Sequence, residues 1–132
     1  MSIIIGIDFD GTIADHLYPD IGESVPYAFH WMREFQSAGA KLVLWTMRDG
    51  QTLEDAVDFC ADRGIEFWGV NENPEQKSWT GSPKAYCQAY IDDNAVGCPL
   101  KENPRLGGRP YVDWEAVGPI VMKKIALRKM RT

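Results

Sequence analysis

The chain carries two pairs of carboxylates where their spacing could support chemistry. Asp8 and Asp10 follow an apolar run at the N-terminus, and Asp92 and Asp93 follow another apolar stretch. If both stretches are strands of a parallel sheet, their carboxyl ends lie at the edge where ligands bind. Three or four carboxylates gathered there repel each other unless a cation lies among them. Because the group contains no His or Cys, oxygen-preferring Mg²⁺ is the predicted ion and zinc is disfavoured.

A carboxylate beside a divalent cation can also act as a nucleophile on phosphorus. The turn after Asp8 can aim Asp8 and Asp10 differently, so that one attacks while the other exchanges protons with the leaving group. Phosphoryl transfer then needs positioning and charge neutralisation. Thr46 and Lys84 are candidates for holding the phosphate, and Gly11 would let backbone N–H groups approach it.

These residues need a parallel sheet to bring them together. Apolar, β-branched runs predict strands at residues 3–9, 41–45, 65–70 and 89–91. Helices are predicted at residues 26–38, from a cap at Thr52 to Gly64, and at 119–129, with a helical turn opened by Ser82-Pro83. Residues 71–80 and 98–110 are predicted as loops. The alternation indicates right-handed βαβ units in a single Rossmann-like α/β domain over residues 1–132, its parallel sheet covered by helices.

Composition limits the classes of function. The formal net charge of −5 argues against a general nucleic-acid or membrane-surface binder, but it leaves room for a small phosphorylated substrate bound through a cation. The three cysteines match no zinc or disulfide pattern and predict reduced thiols. The N-terminus lacks the features of a signal peptide, and no apolar run approaches a membrane span, so the expected location is the cytoplasm.

The order of these motifs resembles the haloacid dehalogenase (HAD) superfamily. Asp8-Phe9-Asp10-Gly11-Thr12 is similar to its first motif, and the strand that ends in Thr46 is similar to the second. Lys84 fits the third, and Tyr90-Ile91-Asp92-Asp93 resembles the acidic fourth. The matches cover about two thirds of the chain, from residue 3 to residue 93.

The resemblance implies a role for each position. Asp8 would be the nucleophile and a Mg²⁺ ligand, and Asp10 the general acid/base with its backbone carbonyl on the metal. Thr46 and Lys84 would hold the phosphate. Asp92 would bind Mg²⁺ directly, and Asp93 would be a ligand or lie behind one. The second Asp of the motif favours a phosphatase over a dehalogenase.

The second motif resembles that of small capless members linked to polysaccharide biosynthesis, which carry Thr-x-Arg there. Thr46-Met47-Arg48 matches it, so these three residues are expected at the substrate phosphate, with Arg48 touching the substrate. Lys77 is the alternative to Lys84 for the third motif. The spacing of Ser82-Pro83-Lys84 before Tyr90-Ile91-Asp92-Asp93 resembles that of the same capless members, and this resemblance favours Lys84.

The gaps between motifs predict that no cap domain covers the site. Only 35 residues separate Asp10 from Thr46 and 37 separate Thr46 from Lys84. The site should be open, or closed by the 98–110 loop or by another subunit of a homo-oligomer.

The expected activity is hydrolysis of a small phosphomonoester, such as a sugar phosphate or nucleotide. The alternatives are a phosphotransferase on the same scaffold and a phosphate-responsive binding module with little turnover. A receiver-like signalling domain is disfavoured because Asn71, and not Asp, follows the third strand.

Overall fold

The sheet that carries the carboxylates has four parallel strands. In the computed structural model, which describes residues 2–131, they lie in the order β3-β2-β1-β4. Their bounds are β1 Ile4–Ile7, β2 Lys41–Leu44, β3 Gly69–Val70 and β4 Ala89–Ile91. Ile7 pairs with Leu44 on one side and with Ile91 on the other. The predicted parallel α/β fold is confirmed, and its topology is Rossmann-like.

The three long helices of the described chain pack on one face of this sheet. They are α1 Ala28–Ser37, α2 Gly50–Asp62 and α3 Trp114–Arg131. Strand residues of alternate positions, such as Ile5 and Leu42, form one buried cluster with side chains from all three helices. The buried residues of α1 are Ala28, Phe29, Met32 and Phe35, which recur at helical spacing and give this helix one apolar face.

The opposite face is covered by an irregular crossing segment, residues 71–88, in place of the helix usual in a βαβ unit. Ala85 and Cys87 from this segment pack on Val43 of β2. Gly6 allows the close approach, because a Cβ there would lie 3.1 Å from the Cys87 sulfur. The connections into β2 and β3 therefore use one face of the sheet, and the connection into β4 uses the other.

This change of face creates a topological switch point between β1 and β4. Successive connections move outward from β1 through β2 to β3, and the chain then returns to the free side of β1. In open α/β sheets, ligands bind where neighbouring connections diverge to opposite faces. The ends of β1 and β4 are therefore where the fold predicts a site.

The structure corrects two predicted boundaries: the start of α2 and the extent of β3. The helix begins at Gly50 with Asp49 as its N-cap, and Thr52 lies inside the first turn, where its hydroxyl donates to the Asp49 carbonyl at 2.8 Å. The predicted strand at residues 65–70 shrinks to Gly69–Val70. The Ile65 N–H donates back to Cys60 at the end of α2, so this residue does not join the ladder.

The helical turn predicted at Ser82-Pro83 is absent from the structure, where the crossing segment has only a short 3₁₀ helix, Gln76–Ser78. The buried Gln76 side chain explains the difference. Its amide donates to the carbonyls of Ser82 and Lys84, and its oxygen accepts the Tyr86 N–H. One side chain thus satisfies backbone groups that a helical turn would otherwise pair.

The C-terminal part is more ordered than predicted. Within the 98–110 loop, β5 Leu100–Lys101 pairs antiparallel with β6 Tyr111–Val112. Helix α3 begins at Trp114 and not at Pro119, because the Asp113 carboxylate accepts the Ala116 N–H at the helix start. Within residues 2–131, no helix is long and apolar enough to cross a membrane. Cys60, Cys87 and Cys98 are free thiols.

Candidate active site

Three carboxylates meet at the switch point. Asp8 follows β1, where its N–H still bonds to the Ile91 carbonyl at 2.9 Å, and Asp92 and Asp93 follow β4. One oxygen from each of the three carboxylates lies within 4.8 Å of the others. The structure therefore brings together three of the four carboxylates that the sequence predicted from the two strand ends, and Asp10 is not among them.

The pKa of Asp8 is strongly perturbed. Burial and the neighbouring Asp92 and Asp93 raise the pKa of Asp8 from 3.8 to about 8. The Thr12 hydroxyl, which donates to Asp8 at 3.1 Å, acts in the opposite direction. At neutral pH the cluster thus holds a proton where a cation would relieve the repulsion.

Asp93 has an oxygen that lacks a protein partner. Its side chain is 5% exposed, and Oδ2 lies 3.2 Å from Nε2 of His16. With the cluster ionised, the buried Oδ1 has no hydrogen-bond partner within residues 2–131, and when Asp8 is protonated its carboxyl group hydrogen-bonds to Asp93. A buried acceptor without a donor is costly unless an ion or water fills the place. Together with the carboxylate donor set, this open acceptor fits a hard cation such as Mg²⁺.

Gly11 makes room for this arrangement. Its φ is +82°, and a Cβ there would overlap His16 and Asp93. Its N–H donates to the Ala14 carbonyl at 2.7 Å, so it is engaged inside its own turn. The Gly11 N–H is therefore not available to a phosphate, and the structure shows the glycine as a source of space; the close approach of neighbouring backbone N–H groups to a phosphate stays a prediction.

Hydrogen bonds of Thr12 and Trp114 hold the turn after β1 in place. The buried Thr12 hydroxyl accepts the Asp93 N–H at 3.3 Å while donating to Asp8. The Thr12 carbonyl accepts the indole N–H of the buried Trp114 at 2.7 Å. One residue thereby ties the two strand ends of the site to the first turn of α3.

Asp10 lies outside the three-carboxylate cluster and pairs with Arg48. The guanidinium donates from Nε to Oδ2 and from Nη2 to Oδ1, both at 2.8 Å. Its remaining donors reach the carbonyls of Pro19, Asp20 and Thr52. Arg48 is 2% exposed and lies over the Phe9 ring. With all of its donors engaged, Arg48 has none free for a substrate, which argues against the predicted substrate contact.

Thr46 and Met47, the other members of the second motif, line the same cavity as Asp8, Asp10 and Arg48. The Thr46 hydroxyl accepts the Arg48 N–H at 3.1 Å and keeps its own proton to donate. The Thr46 N–H is held by the Asn71 side chain at 2.7 Å. Met47 is almost fully exposed at the rim.

The two candidate lysines lie outside the cavity. Lys84 is exposed, and its ammonium is 5.4 Å from the centre of the Tyr90 ring, on the face covered by the crossing segment. Lys77 is exposed and lies 4.0 Å from Glu72. The structure therefore does not bring the predicted phosphate-binding Lys84 to Asp8 and Asp10.

A cavity of about 600 Å³ opens above the carboxyl ends of β1 and β2. This volume is in the range of sites for small molecules. Its walls include residues that the sequence did not single out: His16, Leu17, Tyr18, Asn94 and Arg109. Arg109 is the cationic wall residue whose side chain makes no hydrogen bond or ion pair with residues 2–131. The only sequence signal for it was its place in the 98–110 loop.

Asp15 holds that loop against the site. Arg105 donates to Oδ2 at 2.9 Å, and Asn103 donates to Oδ1 at 2.8 Å. Burial opposes ionisation of Asp15, but these bonds and the His16 N–H lower its pKa below the ordinary value. Asn103 also donates to the Arg109 carbonyl at 3.2 Å. The 98–110 loop therefore contributes Arg109 to the cavity wall. Closure by this loop was one of the predicted arrangements of the site.

No protein-family description and no curated protein matches the sequence significantly. Among solved structures, the chain is similar to a conserved protein from Bacteroides thetaiotaomicron. The two share 34% sequence identity over 94% of this chain and 93% of the other, with a TM-score of 0.75. Identity at this level over nearly the full length of both chains indicates common descent as well as a common fold. The chain therefore belongs to the same family as this conserved Bacteroides thetaiotaomicron protein.

Proposed function

We propose that the protein is a capless HAD-type phosphatase, a Mg²⁺-dependent phosphomonoester hydrolase with Asp8 as nucleophile. The observation that carries the proposal is the position of Asp8: it stands among carboxylates at the switch point and faces a cavity that Asp10 also lines. A carboxylate nucleophile, a second carboxylate for proton transfer and a cation site are the parts that phosphoryl transfer through an enzyme ester requires.

The metal would be held by Asp8, Asp92 and Asp93. Asp10 would contribute its backbone carbonyl, as the HAD resemblance implies, and its carboxylate, which accepts one bond from Arg48 on each oxygen, keeps lone pairs for proton exchange. A Mg²⁺ ion bound there supplies positive charge that lowers the pKa of Asp8 and neutralises phosphoryl oxygens.

The reaction proceeds in two displacements. An oxygen of Asp8 attacks phosphorus, the bond from phosphorus to the leaving-group oxygen breaks, and that oxygen takes the proton of the Asp10 carboxylic acid. A water then attacks the aspartyl phosphate and gives its proton to the Asp10 carboxylate. The bond from phosphorus to Asp8 breaks, and inorganic phosphate leaves. The net reaction converts ester and water into alcohol and phosphate, with both Asp side chains restored.

Two cavity residues, Thr46 and Arg109, would hold the phosphate. Thr46 follows β2, beside Asp8 at the end of β1, and retains a hydroxyl proton for a phosphoryl oxygen. Arg109 brings a cation with free donors, which neither Arg48 nor Lys84 provides in this arrangement. Guanidinium groups bind phosphate oxygens strongly and directionally.

The wall of the cavity indicates a small organic leaving group. Leu17, Tyr18 and Met47 are large apolar side chains that are nevertheless exposed, and all three line this cavity. Exposed apolar groups that converge on a polar site are typical of a ligand surface. A sugar phosphate or a nucleotide would place a carbon face or a ring against them.

Hydrolysis of an aryl phosphate by the purified protein tests the proposal. We expect turnover with Mg²⁺, no turnover in EDTA, and a loss of at least about a thousandfold in Asp8→Asn, since the covalent route is removed. Asp58→Asn, which alters an exposed carboxylate on α2, is the matched control and should retain the wild-type rate.

Other outcomes distinguish the alternatives. Equal turnover by Asp8→Asn would refute the proposal. A rate that rises with an added acceptor alcohol, with the phosphoryl group recovered on that alcohol, would identify a phosphotransferase. Beryllium trifluoride trapped on Asp8 without any turnover would indicate a binding module.

A further inference from the structure

Arg48 forms a buried junction between two walls of the cavity. On one side it holds both oxygens of Asp10 at 2.8 Å. On the other it bonds to the carbonyls of Pro19 and Asp20 at 3.2 Å and 2.7 Å. These carbonyls follow Tyr18, whose ring lies 5.1 Å from the guanidinium carbon and lines the cavity.

We infer that Arg48 is a positioning residue, which fixes the Asp10 carboxyl for proton transfer and anchors the cavity wall at residues 18–20, and not a ligand of the substrate. The inference rests on the proposed function, because it assigns a support to the general acid/base of that reaction.

The donor geometry carries the inference. A guanidinium has five N–H donors, and Arg48 uses them on five acceptors: the two oxygens of Asp10 and the carbonyls of Pro19, Asp20 and Thr52. Binding a phosphate would require breaking at least one of these bonds at a side chain that is 1% exposed. A two-point contact also fixes the plane of the Asp10 carboxylate, which a single ammonium cannot do.

The burial of the pair makes it a fixed element of the site. Arg48 stacks over Phe9, whose ring centroid lies 4.9 Å from the guanidinium carbon. Phe9 is fully buried and lies in the sequence between Asp8 and Asp10. The hydrogen bond to Asp10 is the main cause that raises the pKa of Arg48 above its ordinary value. Arg48 therefore stays charged and paired while Asp10 works.

A positioning role predicts a particular kinetic pattern. Proton donation by Asp10 matters most for esters of alkyl alcohols, whose leaving oxygen is strongly basic, and least for aryl esters with an acidic phenol. Because kcat/KM reports the steps up to departure of the leaving group, Arg48→Lys should lower kcat/KM for an alkyl phosphate at least about tenfold more than for 4-nitrophenyl phosphate. KM for either ester should change by less than about threefold.

The experiment compares wild type, Arg48→Lys, Arg48→Ala and Arg63→Ala on the two esters in Mg²⁺, with thermal melts to check that each variant is folded. Arg63 is a matched control, because it also stacks on a phenylalanine, Phe59, but lies at the exposed end of α2. In Arg48→Ala, millimolar guanidinium should restore activity toward the alkyl ester, and methylammonium should not. If Arg48→Ala is unfolded, Arg48→Lys carries the test alone.

Two results would overturn the inference. A rise in KM for both esters would make Arg48 a ligand of the phosphate. An equal fall in kcat/KM for both esters, without rescue, would make its contribution one of general stability. Failure of the proposed function would look different, because wild type and Asp8→Asn would then turn over the aryl ester equally.

Discussion

Replacing Asp8 by Asn should stabilise the metal-free protein at high pH, although it removes the proposed nucleophile. In the folded chain Asp8 is buried beside Asp92 and Asp93, and its pKa is raised from 3.8 to about 8. Asn has nearly the same shape as the protonated carboxyl but never ionises. The variant therefore keeps the geometry of the site and omits the charge repulsion.

Proton linkage gives the sign and the size of the stability difference between Asp8→Asn and wild type. Because the folded state binds the Asp8 proton more tightly than the unfolded state, this contribution to stability is fully present below about pH 4 and is lost as the pH rises to about 8. The loss is about 1.4 kcal/mol per pH unit in that window. Between pH 5 and pH 8 the stability of Asp8→Asn relative to wild type should therefore rise by up to about 4 kcal/mol.

Urea unfolding in EDTA at pH 5, 6, 7 and 8 measures this difference. Asp58→Asn controls for removal of an exposed carboxylate and should track wild type. Added Mg²⁺ should stabilise wild type more than Asp8→Asn, most strongly at pH 8, because binding the ion displaces the proton. A difference between Asp8→Asn and wild type that stays constant across the pH range would refute the reasoning.

Two further substitutions address the cavity and the turn behind it. Arg109→Ala should raise KM for a phosphate ester by about tenfold, because one charge-assisted hydrogen bond to the phosphate is lost. Lys84→Ala should raise KM less, because the Lys84 ammonium lies over the Tyr90 ring, outside the cavity. The opposite order in steady-state kinetics would show that the lysine is the phosphate ligand. Trp114→Phe should lower the free energy of unfolding by about 1–3 kcal/mol, because the Thr12 carbonyl loses its buried donor. Urea unfolding measures the loss, with the exposed Trp79→Phe as control, and equal stability of the two variants would contradict it.

The clustering of Asp8 with Asp92 and Asp93 could be predicted from sequence because it depends only on strand polarity. Apolar runs identify the strands, right-handed connections make them parallel, and the residues after them must meet at one edge. The inner face of α1 was predictable for the same kind of reason, since helical spacing fixes which side chains share a face.

The partners of Arg48 and Asp15 could not be predicted in this way. The Thr-x-Arg spacing placed Arg48 at the right strand end, but the direction of its side chain depends on carbonyls at Pro19 and Asp20, in a loop without periodicity. The bond from Arg105 to Asp15 joins residues 90 positions apart in two irregular segments. Such contacts are set by tertiary packing, and no local sequence pattern predicts them.

The missing turn at Ser82 has a similar origin. Local chemistry favoured a helical turn there, but Gln76 reaches across and satisfies the backbone groups of the segment. A local preference worth a fraction of a kilocalorie per residue yields to a buried side chain that makes three hydrogen bonds.

The strand order also sets when the site can exist during synthesis. β1 pairs with β2 within the first 44 residues, whereas its other neighbour, β4, lies beyond residue 88. As the chain leaves the ribosome, β1 to β3 can pair while Asp8 still has water on its free side. The repulsion among the three carboxylates begins only when the last strand docks. A nascent chain cut short before β4 thus has Asp8 but lacks Asp92 and Asp93, so the three-carboxylate cluster forms only after the last strand of the sheet has been made.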